Sequence, residues 1–185
     1  MKLNIVGISG KAGSGKDTLA HTVFKHHGFM PWAFAWPLKM RALSHGFTYD
    51  EVFTSKPAQA RKWLQDVGSQ KRTQNPDYWV SQLDGWVRTL YQATGADKFV
   101  ITDVRYPNEA EYIRSLGGRL VRMEHGLGLE YSLAGTAAAV HESETALDEY
   151  PDWDLVIHNN IHGNPGLALD MLCGEAGLVP YRGGH

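Results

Sequence analysis

The sequence predicts an α/β protein, a parallel sheet of about five strands covered by helices on both faces. Five short apolar runs, at residues 3–8, 30–35, 99–102, 120–123 and 155–157, have the length of buried strands. Helical patterns fill most of the gaps between them, and strands that alternate with helices assemble into a parallel sheet.

The elements follow in chain order. The first run ends in a glycine-rich turn, and a helical pattern extends from Lys16 to about His27. After the second run, Pro37 opens a helix in its first turn, where a missing N–H costs nothing. Residues 58–67 and 77–91 have helical spacing, the second with Trp79, Leu83, Trp86, Val87 and Leu90 on one stripe. The third run ends at Asp103, and Pro107 then starts a helix that stops at Gly117 and Gly118. Residues 126–140 are rich in Gly, Ala and Ser and read as a mobile loop, and residues 181–185 as a frayed tail. No repeat or linker divides the 185 residues, so one domain is expected.

Composition excludes several classes. With 43% hydrophobic and 21% charged residues the chain is neither disordered, collagen-like nor a coiled coil. Its one cysteine, Cys173, has no partner for an internal disulfide, which fits a reducing compartment. The apolar run before Gly10 is too short for a signal peptide, and the longest uncharged stretch, 155–169, is interrupted by Asn, His, Gly and Pro. A cytoplasmic protein with no membrane partner is expected. The net charge of −2 hides a division. From Met1 to Arg122 seventeen Lys and Arg face ten Asp and Glu, whereas the remaining residues hold Arg182 against ten acids. Any chemistry on anions must draw its cations from the first two-thirds.

The strongest motif runs from Gly10 to Thr18 and contains Lys11, Gly13, Ser14, Gly15, Lys16 and Asp17. It follows a strand and opens a helix, the context in which a phosphate-binding P-loop is credible. Glycines let successive N–H groups turn toward phosphates, the helix N-terminus adds positive potential, and Lys16 reaches the β- and γ-phosphates. Ser or Thr usually follows the lysine to hold Mg²⁺, but here Asp17 does, with Thr18 next. Two readings stand: Asp17 meets Mg²⁺ directly or through water, or Asp17 organises the substrate side while Thr18 offers its hydroxyl to the phosphates. Asp103, at the end of an apolar strand, has the Walker-B placement beside Mg²⁺, and Arg105 lies two residues on.

Gly10–Thr18, then Phe34-Ala35-Trp36-Pro37-Leu38-Lys39, Arg61, Leu64-Gln65, Gly68, Arg72 and Trp79 together resemble the bacteriophage deoxynucleoside monophosphate kinase family. So do Asp103-Val104-Arg105-Tyr106-Pro107-Asn108-Glu109-Ala110, His141-Glu142-Ser143-Glu144 and Asp154-Leu155-Val156-Ile157-His158-Asn159. The resemblance implies a P-loop NTPase of the three-layer nucleoside-monophosphate-kinase kind. It implies a helical substrate-binding or lid insertion at about 40–95, ATP and Mg²⁺ as donor and cofactor, and a deoxynucleoside 5′-monophosphate as acceptor. A homodimer and a role in phage DNA synthesis are further implications.

The residues suit such a reaction. A phosphate nucleophile is already ionised and needs no general base, so the task is to bring two polyanions together with cations. Arginine forks bind phosphate bidentately. Arg105 is expected at the transferring group, and Arg61, Arg72 and Lys39 on the acceptor side. Gln65 offers both a donor and an acceptor to a base edge, and Trp63, Tyr78, Trp79 or Trp86 can stack on it. His141 and Glu144 would bind sugar hydroxyls or orient arginines, or else begin a helix. Residues 126–140 hold no Lys or Arg, so lid cations must come from about 56–72. His158 and His162 are four residues apart, but no HExxH or CxxC supports a zinc site. Two other functions remain open: a kinase acting on a modified base within DNA, which would need a basic groove, and a nucleotide-binding regulator without turnover.

Overall fold

Successive side chains of a strand point to opposite faces, and the apolar strands divide their residues between two cores accordingly. The computed structural model describes residues 3–22, 24–125 and 133–159. Strands β1 (Asn4–Ser9), β2 (Met30–Trp32), β3 (Lys98–Ile101), β4 (Arg119–His125) and β5 (Leu155–Asn159) form one sheet in the order β2-β3-β1-β4-β5. Every pairing is parallel; Val6 of the central strand lies between Val100 and Arg119. Ile5, Phe99, Ile101 and Leu120 enter one core, while Val6, Ile8, Val100, Val121 and Met123 enter the other.

The helices cover these two faces. Helix α1 (Lys16–Thr22) packs Leu19 and Ala20 on the second core, with Phe24 and Phe29 beside them. Helices α2 (Trp36–Ser44), α3 (Ala58–Gln74) and α4 (Tyr78–Thr94) lie between β2 and β3 in the chain. With α5 (Pro107–Ser115) they cover the first core, where Leu38, Trp79, Leu83, Val87 and Ile113 are buried. A four-residue helix α6 (Glu142–Thr145) precedes β5. No helix among the described residues is long and apolar enough to cross a membrane.

Several boundaries differ from the sequence expectation, each for a physical reason. The 30–35 run is a strand only to Trp32, because the Phe34 and Ala35 N–H groups donate to Asp103 instead of a neighbouring strand. The first helical pattern breaks after Thr22 into a 3-10 turn, Phe24–His27, that leads into Gly28. Helix α3 runs seven residues past the expected end at 67, through a buried Gly68 against Leu38. A π-helical turn, Asp50–Thr54, has no counterpart in the apolar pattern. Trp86 belongs to the α4 stripe yet is 50% exposed, because it leans on Trp32 of the edge strand, beyond which the sheet ends. Of the loop expected at 126–140, residues 133–140 are described and contain a buried Leu133 and a 3-10 turn, Ala137–Val140. Residues 126–132 and the 181–185 tail lie outside the described residues.

Two glycines set how closely α5 approaches the sheet. A Cβ on Gly7 would lie 2.8 Å from Val104 Cγ2 and 3.0 Å from Leu120 Cδ2. One on Gly118 would lie 2.6 Å from Ile5 Cγ2 and 2.8 Å from the Ile113 carbonyl oxygen. Gly85 in α4 faces open space. Gly7→Ala and Gly118→Ala are therefore expected to lose about 1–3 kcal/mol of stability by overpacking, while Gly85→Ala gains about 0.5–1 kcal/mol from helix propensity. Urea midpoints at constant slope measure all three.

Candidate active site

The first strand delivers the chain to a glycine-dependent turn. Gly10 and Gly15 have φ of +146° and +95°, and each also lacks room for a side chain. A Cβ on Gly10 would meet the Met123 carbonyl oxygen at 2.2 Å, and one on Gly15 would meet Asn159 Nδ2 at 2.6 Å. Asn159, at the end of β5, donates to the Ser14 carbonyl at 3.0 Å and ties the loop to the far edge of the sheet. Lys16, the first residue of α1, is 9% exposed, and its Nζ donates to the Lys11 carbonyl at 2.7 Å. Burial, with the nearby Arg105 cation second, lowers the Lys16 pKa to about 8.

A cavity of about 310 Å³ opens beside this loop. Gly13, Lys16 and Asp17 form one wall, and Lys39, Arg61, Gln65, Arg72 and Trp79 from α2–α4 form another. Asp103, Arg105, His141 and Glu144 complete it, with apolar surface from Phe34, Leu38, Leu64 and Leu133. The fold thus brings together twelve residues that the sequence places in the site, from five stretches of chain. Gly10, Ser14 and Gly15 support the loop from behind rather than lining the cavity, and Thr18 is exposed outside the wall. Lys11, expected at the nucleotide, is not among the residues lining the cavity. Its Nζ pairs with Asp148 at 2.6 Å.

Acidic residues beside an anion site are explained by what they hold. Helix α6 begins at His141, whose Nδ1 accepts from the Ser143 N–H at 3.1 Å, and its Nε2 lies 3.3 Å from Ser69 Oγ. That helix carries Glu144, whose side chain is 5% exposed and pairs with Arg105 Nη1. The second Glu144 oxygen accepts the Ala12 N–H of the phosphate loop at 3.2 Å. Arg105 also donates to the Ser143 carbonyl at 2.9 Å. Of the two readings for this segment, helix start and arginine orientation hold together.

Asp103 departs from the Walker-B expectation in its contacts. One carboxylate oxygen accepts the Phe34 N–H at 2.7 Å and the other the Ala35 N–H at 2.9 Å. The carboxylate thus braces the turn that starts α2. Arg61 Nε donates to the Lys56 carbonyl at 2.8 Å, in a turn where Lys56 has a φ of +45°. Lys56 itself lines the cavity, and burial, with Lys39 next, lowers its pKa. Trp79 lines the cavity, but its indole N–H donates to the Gly68 carbonyl. Trp63, Tyr78 and Trp86 lie off the cavity; Trp63 stacks on His45 at 5.0 Å in a separate groove.

Sequence reasoning passed over Glu109 and Tyr106. Glu109 is fully buried, and its Oε1 accepts Arg72 Nη2 at 2.6 Å. Its Oε2 accepts the Arg105 N–H at 2.7 Å and the Tyr106 N–H at 3.2 Å. Burial pushes the Glu109 carboxyl up to about 7 against the pull of the Arg72 cation. The Arg72 guanidinium lies 3.7 Å over the Tyr106 ring, and its buried Nη1 has no hydrogen-bond partner among the described residues. Glu109 and Tyr106 both stand in the family-like segment 103–110, where Glu109 falls three residues after Tyr106 at the start of the Pro107 helix, a capping position that gives no hint of Arg72. Among the described residues no three His, Cys, Asp or Glu side chains gather as a metal site. His162 and Cys173 lie outside the described residues.

No protein-family sequence model matches the chain. It is 29% identical, over 84% of its length and 88% of the relative's, to a protein of Acanthamoeba polyphaga mimivirus described as "Putative deoxynucleotide monophosphate kinase". It is 27% identical, over 84% of its length, to "Uncharacterized protein ORF77" of Ictalurid herpesvirus 1, of which it spans 64%. Neither relative is from a bacteriophage, so the resemblance extends to viral proteins more broadly. A crystal structure titled as a "putative kinase" from Chloroflexus aurantiacus superposes with a TM-score of 0.55 at 11% identity, covering 95% of this chain and 99% of that one. The chain is thus an α/β protein of the P-loop kinase fold, similar in sequence to a viral protein described as a deoxynucleotide monophosphate kinase.

Proposed function

We propose that the protein transfers the γ-phosphoryl group of ATP to a deoxynucleoside 5′-monophosphate, yielding ADP and the diphosphate. The observation that carries this reading is a single cavity shared by the P-loop lysine and a second set of cations. Arg105 is close enough to Lys16 to lower its pKa and is joined through Glu109 to Arg72. Two anion sites linked by an arginine are what a phosphoryl transfer between two phosphate chains requires. The deoxynucleotide acceptor is supported by the description of the mimivirus relative and by the motifs shared with the bacteriophage kinases.

Each role follows from placement. Lys16 and the N–H groups from Gly13 to Thr18 hold the donor phosphates. Asp17, exposed at the cavity wall, would hold Mg²⁺. Mg²⁺ neutralises phosphate charge and needs only one or two carboxylates beside phosphate oxygens and water. Arg105 neutralises charge on the transferring group. Arg61 and Arg72 grip the acceptor phosphate, with Lys39 and Lys56 adding positive potential from the helical segment at about 40–95. Gln65 reads a base edge against the apolar wall of Leu38, Leu64 and Trp79.

The direct test is coupled ADP release with each dNMP, each rNMP and DNA as acceptor. The expected result is turnover driven by free dNMPs and abolished by Lys16→Ala. Release only with DNA would favour a DNA-modifying kinase, and none with any acceptor a regulator. Arg105→Ala is expected to lower turnover by about 10³–10⁵, and near-normal turnover would refute its role. The Lys16 pKa of about 8 sets a pH dependence. Below it the ammonium is charged and binds phosphate; above it the free protein must take up a proton on binding. ATP affinity should therefore fall toward about tenfold per pH unit above 8, and Lys16→Met should flatten that limb. Calorimetric titrations between pH 7 and 9 measure both.

A further inference from the structure

We infer that Glu109 is a positioning residue for the acceptor phosphate, acting through Arg72 and joining it rigidly to the backbone of Arg105. The inference rests on the phosphoryl-transfer reading above and adds to it a residue that does not itself touch substrate.

Every polar neighbour of the Glu109 carboxylate is a donor: Arg72 Nη2, the Arg105 N–H and the Tyr106 N–H. With no acceptor nearby, the ionised form fits and a neutral amide does not. One oxygen fixes an arginine from α3, while the other fixes the turn between β3 and α5. The Tyr106 ring beneath the guanidinium adds a second constraint on its plane. Together they hold Nη2 and leave Nη1 buried and unpartnered among the described residues, on a side chain that lines the cavity. A buried guanidinium N–H without an acceptor is costly, and a phosphate oxygen is the group that would satisfy it. The other charged groups around Glu109 are Asp103 and Arg105, and the Asp103 carboxylate offers Arg72 no alternative partner, since it accepts from the Phe34 and Ala35 N–H groups.

Charge and geometry predict opposite outcomes when this carboxylate is removed. If charge alone mattered, losing a negative group near the phosphate would tighten anion binding. If Glu109 positions Arg72, binding weakens instead. The experiment compares Glu109→Gln, Glu109→Asp and Arg72→Ala in the full chain, with thermal melts to verify folding. Acceptor and ATP KM values and kcat are measured with the best dNMP, and sulfate affinity by calorimetry. Glu109→Gln should raise the acceptor KM about tenfold or more, leave the ATP KM within about twofold, and weaken sulfate binding. It should add nothing further in an Arg72→Ala background. Glu109→Asp keeps the charge but retracts it by a methylene, so it should show the same selective KM rise if the Gln variant does not fold. Unchanged or tighter anion binding, equal rises in both KM values, or additive losses with Arg72→Ala would overturn the proposal. If the wild type turns over no acceptor, the kinase reading fails, while the sulfate measurements still decide the role of Glu109.

Discussion

Gathering cations around a half-closed cavity is the constraint to which the rest of this structure answers. Lys16, Lys39, Lys56, Arg61, Arg72 and Arg105 converge there, and burial first, with repulsion from a neighbouring cation second, lowers the pKa values of Lys16 and Lys56. Such an array persists only if each cation is held in place and partly compensated. Carboxylates from separate elements provide this: Glu109 at the start of α5 and Glu144 on α6 each take one arginine. The same carboxylates also accept backbone N–H groups, so charge balance and loop geometry are joined in single residues.

That arrangement gives the charge division along the chain a structural meaning. The acidic last third does not oppose the basic first two-thirds. It supplies Glu144 to Arg105 and the phosphate loop, and Asp148 to Lys11 and Arg122. Asp103 acts similarly on the other side, holding the turn from β2 into α2 through two backbone N–H groups. The cavity is braced by anions that lie on its walls, and among the described residues the buried Arg72 Nη1 has no hydrogen-bond partner.

Legibility in the sequence varied with the range of the interaction involved. The inner strands β1, β3 and β4 were readable because burial on both faces leaves largely apolar runs, the half-buried edge strands β2 and β5 as shorter ones, and the P-loop because glycine spacing is a local requirement. Ends were less readable where a long-range bond decided them. Nothing in residues 30–35 reveals that Asp103 takes the N–H groups of Phe34 and Ala35 and so ends β2 at Trp32. Lys11 is a similar case: nothing near it in the sequence reveals that its Nζ pairs with Asp148, more than a hundred residues on. Glu109 stood in the family-like segment 103–110 without a role of its own. Its meeting with Arg72 depends on how α3 and α5 pack.

By itself the sequence determined the parallel α/β architecture, the phosphate loop and the segment from which cations must come. These rest on local properties: hydrophobic runs, backbone conformations open to glycine, and side-chain charge. Only the tertiary structure decided which cations face the cavity, which are spent on partners, and which carboxylates hold them. The reason is physical. A charge acts according to the distance and burial of its neighbours, and those neighbours come from β3, α3, α5 and α6, elements far apart in the chain.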